Sequence, residues 1–231
     1  MRRIFLSICI VSLISITLAA QEPNQGESSA KSKVSFWKFS WFLETSILFF
    51  PEDNGMASDP MPILPSPGVG FSFPITDMFK LEATLDFYIT HYGFDFGRAI
   101  PVAIENRSAL VIGSLLGIQV AAYFPINSFL TIRAFGGPAA DLRIVLLALD
   151  LNAGDLADAQ SKTDSVRNYF WSSGRWFMPV VGAGLDFTIS PRFKIGIDMR
   201  VWVPIYRIWT GEDLPAIEGW RFSPGLRFSF L

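Results

Sequence analysis

Between Phe79 and Thr90 the chain changes chemistry at every step: Phe79, Leu81, Ala83, Leu85, Phe87 and Ile89 alternate with Lys80, Glu82, Thr84, Asp86, Tyr88 and Thr90. A period of two puts the two sets on opposite faces of a β-strand, whereas a helical period of 3.6 would scatter them. The pattern returns from Phe193, where Ile195, Ile197, Met199, Val201, Val203 and Ile205 oppose Lys194, Gly196, Asp198 and Arg200. It returns again at the end of the chain, with Trp220, Phe222, Leu226, Phe228 and Phe230 set against Arg221, Ser223, Gly225, Arg227 and Ser229. Pro224 takes an apolar-face position there, and a local bend in the ladder is expected at a residue without an N–H.

Weaker alternation marks five further segments: Trp37–Phe49, Val69–Ile75, Leu110–Phe124, Leu130 to about Ile144, and Phe177–Ile189. In Leu110–Phe124, Gly113 and Gly117 have the small-xxx-small spacing of a membrane helix. The run is too short for one, Gln119 and Tyr123 interrupt it, and its second half alternates, so it reads as a strand. The fold class expected is all-β, with eight strands.

Three connections share nearly the same words: Phe73-Pro-Ile-Thr-Asp-Met-Phe-Lys-Leu81, Phe124-Pro-Ile-Asn-Ser-Phe-Leu-Thr-Ile132 and Phe187-Thr-Ile-Ser-Pro-Arg-Phe-Lys-Ile195. Each reads as strand, tight polar turn, strand. The links between them are long and rich in Asp, Glu, Asn, Gly and Pro: about Phe50–Ser66, Tyr92–Ser108, Leu147–Gly174 and Arg207–Gly219. Strict alternation of short and long links makes an antiparallel up-and-down meander with all tight turns at one end, the plan of a transmembrane β-barrel.

A soluble barrel would show the same alternation with the faces reversed, and volume decides between the two. Eight strands enclose a lumen that side chains just fill. The apolar faces, loaded with Phe, Trp, Leu and Ile, would overpack it. The opposite faces carry small residues such as Gly68, Gly70, Ser72, Gly182, Gly184 and Gly196 beside the charges, and these fit inside. The composition agrees, with 50% hydrophobic and only 17% charged residues, against about 25% charged in an average soluble chain.

The charges assigned to the interior are Lys38, Lys80, Arg133, Arg143, Lys194, Arg200, Arg221 and Arg227 against Glu44, Glu82, Asp86, Asp141, Asp186 and Asp198. An unpaired ion out of water costs several kcal/mol, so a paired network that plugs the lumen is expected. Aromatic rings belong at the two membrane–water interfaces. At the tight-turn end these are Trp37, Phe73, Phe79, Phe124, Phe129, Phe187, Phe193 and Phe230; at the far end they are Phe49, Phe50, Tyr92, Trp176, Tyr206 and Trp209.

The N-terminus carries Arg2 and Arg3, an apolar run from Ile4 to Leu18, and Leu18-Ala19-Ala20 before polar residues. This is the pattern of a secretory signal peptide cleaved after Ala20. Cys9, the sole cysteine, would leave with it, so the oxidising compartment beyond has no thiol to staple. Residues 21–34 read as a flexible polar leader and 35–231 as the barrel.

By its architecture, and by the ending Phe222-Ser-Pro-Gly-Leu-Arg-Phe-Ser-Phe230, the chain resembles the small outer-membrane β-barrel proteins, a broad family that includes the OmpA transmembrane domain, OmpX and OmpW. The resemblance covers about Phe36–Leu231. It implies an outer-membrane location in a Gram-negative-type envelope and insertion as a monomer. It also implies that Phe222, Leu226, Phe228 and Phe230 serve as the signal read by the barrel-insertion machinery. In that family the final residue is usually aromatic, and here Leu231 follows Phe230.

Some barrels of this class acylate or deacylate lipid A with a Ser, His and acidic residue. The only histidine here is His91, with Thr90 and Asp95 close in sequence, and it reads as an interfacial residue beside Tyr92 rather than a base. One Cys and one His leave no set of zinc ligands, and a formal net charge of −2 disfavours nucleic acid. No phosphate loop or nucleophile elbow occurs. No enzyme activity and no cofactor are expected. The first expectation is a structural or surface-binding role, with outer-membrane lipid and an extracellular ligand or host surface molecule as partners. The alternatives are a narrow, porin-like conduit for small hydrophobic or polar solutes, and a secreted soluble ligand-binding barrel. The link Leu147–Gly174 is the longest, acidic over Asp150–Gln160 in a stretch able to form a short helix, and aromatic at Tyr169, Phe170 and Trp171. These aromatics are expected to cover the barrel mouth or sit in the interface.

Overall fold

The computed structural model describes residues 39–51, 63–95, 97–147 and 156–230. The export segment, the leader, Trp37, Lys38 and Leu231 lie outside the described residues. The strands are β1 (Ser40–Phe49), β2 (Ile63–Pro74), β3 (Phe79–Asp95), β4 (Arg98–Pro101), β5 (Ala109–Pro125), β6 (Leu130–Gly137), β7 (Ala139–Leu147), β8 (Val180–Ser190), β9 (Phe193–Trp202) and β10 (Arg221–Phe230). Two helices, α1 (Leu156–Trp171) and α2 (Arg207–Thr210), lie in the long links.

Every pairing is antiparallel, and β1 closes on β10 to make an eight-stranded barrel. Eight staves come from ten strands because β4 folds back on the tip of β3, and β6 and β7 are two halves of one stave. The expected strand Leu130–Ile144 is thus divided at Pro138, which has no N–H to donate. Both halves still pair with β5, β6 along Val120–Pro125 and β7 along Ala109–Gly117. The stretch from Phe193 stops at Trp202 rather than Ile205, with Pro204 just beyond. Phe177 joins only an isolated bridge to Ala140, so the β8 ladder starts at Val180. At Pro224 the β9 ladder runs on unbroken, while the β1 ladder skips from Ser46↔Gly225 to Phe49↔Phe222.

The repeated turns owe their shared words to one device. In the first, Thr76 Oγ1 accepts hydrogen bonds from the N–H groups of Met78 (3.3 Å) and Phe79 (2.9 Å). In the second, Asn127 Oδ1 accepts from Phe129 and Leu130, both at 2.8 Å. In the third, Ser190 Oγ accepts from the Arg192 N–H at 3.4 Å, next to a register shift between β8 and β9. A short polar side chain that takes up the turn's own amides lets the strand reverse in a few residues.

Rows alternate as expected. Trp41, Leu43, Phe71, Leu81, Phe87, Leu116, Ile118, Leu185, Ile197 and Leu226 are exposed on the outside, while Glu44, Glu82, Asp86, Arg133, Asp198 and Arg227 are buried inside. The inward rows are more aromatic than the weak alternation of β1 and β5 suggested. Phe42, Leu48, Phe50, Tyr88, Leu115, Phe135 and Trp202 also point in, and Gly113 admits the Tyr88 ring where a Cβ would collide with it.

The wall is uneven. β2 and β3 pair only over Gly68–Pro74 and Lys80–Asp86. Beyond that, Ile63–Pro67 is held by β1 alone, and Phe87–Asp95 by β5 and β4. Pro65 and Pro67 lie in the stretch where the β2–β3 ladder is missing, as residues without an N–H allow. β3, β4, β5 and β7 therefore rise together past the rim. On their inner face α1 buries Thr163, Val166 and Phe170, one helical stripe, against Tyr92, Ala99, Ala109, Val111 and Val145.

Candidate functional site

The barrel interior is divided into two ionic groups. The group nearer the tight turns joins five acids to three arginines. Arg227 sits on Glu82 with both ends of its fork, Nη1–Oε2 at 3.0 Å and Nη2–Oε1 at 2.7 Å. Arg133, on β6, reaches three strands at once: Glu82 (3.2 Å) on β3, Asp186 (3.7 Å) on β8 and Asp198 (2.7 Å) on β9. Arg200 bridges Glu44, Asp86 (3.1 Å) and Asp198 (3.6 Å). Tyr123 donates its hydroxyl to Glu82 Oε1, and Gln119 Nε2 donates to Thr84 Oγ1 at 3.0 Å. Arg133 and Glu82 are both 0% exposed, so their charges are stable only through the network, Arg133 with three carboxylates and Glu82 with two guanidinium groups. Rings cover the flat faces of the guanidinium groups: Phe42 lies 3.4 Å from Arg227 and Phe135 lies 4.7 Å from Arg133.

The second group lies toward the long loops. Asp141 accepts from Tyr88 Oη at 2.7 Å and from Arg143 Nε at 2.7 Å, and pairs with Arg221. It is set in an apolar layer of Leu48, Phe50, Tyr88, Leu115, Met178 and Trp202, with Phe50 4.8 Å from the Arg221 guanidinium.

Of the charges assigned to the interior, Glu44, Glu82, Asp86, Arg133, Asp186, Asp198, Arg200 and Arg227 come together in the first group. Asp141, Arg143 and Arg221 form the second. Lys80 and Lys194 are half-buried at the tight-turn rim, with Lys80 Nζ 4.4 Å from the Tyr123 ring. Lys38 lies outside the described residues.

At the tight-turn end the aromatic residues form ring contacts around the outside. Trp41 stacks on Phe230 at 4.3 Å, Phe193 meets Phe230 at 5.3 Å, Phe129 meets Phe187 at 5.5 Å and Phe39 meets Phe73 at 6.3 Å. Phe79 is half-buried and Phe124 exposed at the same end. Phe222, Leu226, Phe228 and Phe230 share the outward row of β10. At the far end two assignments are corrected. Tyr92 is buried against Phe170 (4.8 Å), and Phe50 is buried against Tyr88 (5.5 Å). Both belong to inward rows, and α1 or the apolar layer covers them. Trp176 and Trp209 are exposed, and Tyr206 is half-buried. Trp209 donates Nε1–H to Ser173 O at 2.7 Å.

Thr90 is buried on the inner row of β3 and His91 stands on the outer row, so the two face opposite sides of the wall. Among the described residues no cluster of His, Cys, Asp or Glu is placed to hold a metal. What the pattern of faces did not flag is a group of loop arginines, Arg98, Arg175 and Arg207, which gather with Arg143 and Arg221 around one pocket at the far mouth. No periodicity links them, because each comes from a different turn or strand end.

No protein-family model matches the chain, and no curated protein matches it either. Solved structures do align with it. Neisserial surface protein A (NspA) is 11% identical, with 82% of this chain and 95% of that one covered and a TM-score of 0.46. OprG from Pseudomonas aeruginosa is 9% identical, covering 83% and 96%, with a TM-score of 0.47. Ail of Yersinia pestis, in complex with the heparin analogue sucrose octasulfate, is 10% identical, covering 83% and 97%, with a TM-score of 0.43. At these identities it is the chain's own strand pairing that establishes the eight-stranded antiparallel barrel.

Proposed function

We propose that the chain is an integral outer-membrane protein, inserted as a monomer, whose lumen is closed by paired charges and whose long-loop end serves a structural or surface-binding role. The observation that carries this reading is the ionic group around Glu82, Arg133, Arg200 and Arg227, which ties inward rows of six staves together across the lumen with fully buried ions. A water-filled channel would hydrate such charges, and it takes far more than eight strands. The outer face supports the membrane assignment: Phe79–Ile89 on β3 gives about eleven residues with an apolar outward row, the length of a tilted membrane strand. β1 pairing with β10 leaves the tight-turn half without a free edge, which favours a monomer. The signal-like N-terminus supports export, and the outward row of β10 offers the aromatic residues that insertion machinery reads. Thr90 and His91 stand on opposite faces of β3, so these two do not form a nucleophile–base pair.

Planar-bilayer recording from refolded full-length protein tests the closed lumen. Silence or rare, small openings are expected, and a large steady conductance would overturn it. The protein should also stay with membranes through a carbonate wash and migrate differently on unboiled gels; a monodisperse protein in plain buffer would make it a soluble barrel.

A second reading, a narrow route for small hydrophobic solutes, is favoured by one observation. The unpaired stretch between β2 and β3 lies beside the apolar layer, where Leu64 of β2 packs against Leu48 and its neighbours. A disulfide between Leu64→Cys and Thr90→Cys, both on inward rows, would seal that seam, and solute uptake that survives the seal would dismiss the route.

A further inference from the structure

Five arginines line one pocket at the far mouth, and they arrive by five separate routes. Arg98 opens β4, Arg143 lies on the inward row of β7, Arg175 follows the turn after α1, Arg207 opens α2, and Arg221 opens β10. Among the described residues the only acid in the lining is Glu212. Asp141 backs Arg143 and Arg221, Glu218 pairs with Arg98 at 3.4 Å, and Asp95 stands across the hairpin from Arg98. With all of these counted, positive charge remains in excess. Exposure grades from Arg98, with 44% of its side chain open to solvent, to Arg221 with 3%, so the charge runs inward as a funnel.

The guanidinium groups are held by their faces. Arg175 lies 4.2 Å from the Tyr169 ring and 5.5 Å from Tyr206, and Arg143 lies 3.9 Å from Phe170. Stacking fixes the plane of each group, while Arg143 gives Nε and Nη2 to Asp141 and Arg175 gives Nη1 to Ser172 Oγ at 2.9 Å. The Nε atoms of Arg175, Arg207 and Arg221 are buried and have no hydrogen-bond acceptor among the described residues. For Arg207, whose side chain is 7% exposed, the nearest carboxylate oxygen, on Glu212, is 3.7 Å away, too far for a hydrogen bond. The Nε atoms of Arg133 and Arg200 in the lumen are likewise without an acceptor, so what sets these three apart is that their residues line one pocket. The frame is built to last: Trp209 ties α2 to Ser173, and Gly219, at φ +78°, closes the loop beneath the Tyr206 hydroxyl.

From this geometry we infer that the mouth pocket binds a phosphoryl group, a phosphate monoester carried on a soluble molecule or on a lipid headgroup. Such a group brings about −1.5 to −2 charge at pH 7 and three acceptor oxygens, which matches several guanidinium edges converging from different directions. A carboxylate, flat and singly charged, satisfies fewer of them. The inference deepens the surface-binding reading and rests on it only for the side of the membrane from which the ligand arrives.

Calorimetric titration of methyl phosphate into the refolded full chain in zwitterionic micelles tests it, with acetate as the comparison. Saturable binding at one site is expected, tighter than acetate, weakened about tenfold in Arg175→Gln and unchanged in Arg167→Gln, an exposed arginine outside the pocket. Migration on unboiled gels checks that each variant is folded. Should Arg175→Gln fail that check, Arg98→Gln at the exposed rim replaces it, with a loss of about threefold expected. Absence of saturable binding, affinity equal to that for acetate, or indifference to the folded pocket variant would each overturn the inference. In phosphatidylcholine vesicles, competition from added phosphatidic acid would support the pocket with a headgroup as the source, and binding that phosphatidic acid does not disturb would support it with a soluble ester. A barrel that conducts and binds methyl phosphate refutes the closed lumen and keeps the pocket; a silent barrel that does not bind does the reverse.

Discussion

The tight-turn half and the long-loop half of this barrel use the same staves and hold them together differently. Near the tight turns every stave is paired on both sides, and five acids and three arginines lock the lumen from within. Near the long loops the β2–β3 ladder stops, part of the wall rises as a sheet of β3, β4, β5 and β7, and the interior is filled by apolar side chains, one small ionic group and the docked helix α1. The lesson concerns backbone satisfaction. In hydrocarbon an unpaired strand edge is costly, and the half that the proposed function places in the membrane is the one closed completely. Beyond the membrane water can satisfy open edges, and the chain can spend residues on a platform and a pocket instead.

The largest effect that could break this contrast is at Glu82. Glu82→Ala strands Arg133 and Arg227 without their shared partner, and a loss of about 3 to 5 kcal/mol is expected from unfolding in urea with lipid vesicles. A neutral result would show that the tight-turn half is not held by its ions. Phe170→Ala should cost the docking of α1 about 3 kcal/mol, read as faster hydrogen exchange and protease cleavage in the helix, with barrel migration on unboiled gels unchanged. Loss of the barrel as well would mean the two halves fold as one unit. Asp141→Asn removes the carboxylate that Arg143 and Arg221 share. About 2 kcal/mol is expected, less than for Glu82, because Arg143 and Arg221 line the mouth pocket and keep their stacked rings. The smallest effect is expected for the stacked pair of Trp41 and Phe230, where a double-mutant cycle of Trp41→Ala and Phe230→Ala should give a coupling of about 1 kcal/mol in unfolding stability.

Much of the tight-turn half could be read from the chain directly. Phe79–Ile89 and Phe193–Val201 alternate cleanly because one face is an exposed apolar row and the other meets the buried ions, and Thr76, Asn127 and Ser190 mark the turns because their side chains bond to their own backbone. The long-loop half was harder to read. Tyr92 and Phe50 look like interfacial rings in sequence, but the inward rows there are apolar too, so polarity no longer distinguishes inside from outside. Helix α1 was visible only as an acidic stretch, and its buried residues Thr163, Val166 and Phe170 make a stripe too sparse to stand out. Arg98, Arg175 and Arg207 carry no signal, since nothing in their own surroundings says that they meet.

What the sequence determined by itself is local: strand against turn, apolar face against ionic face, and short links against long ones. Those follow from the two-residue pleat and from side chains acting on neighbouring amides, interactions that span a few residues. Which ions share which partner was decided only when the sheet closed. Arg133 meets Glu82, Asp186 and Asp198 because closure brings β6, β3, β8 and β9 to one level across the lumen, and the stagger between strands is a property of the whole ring. The mouth pocket is the extreme case, for its five arginines lie between 98 and 221 in the chain and become neighbours only above a closed wall.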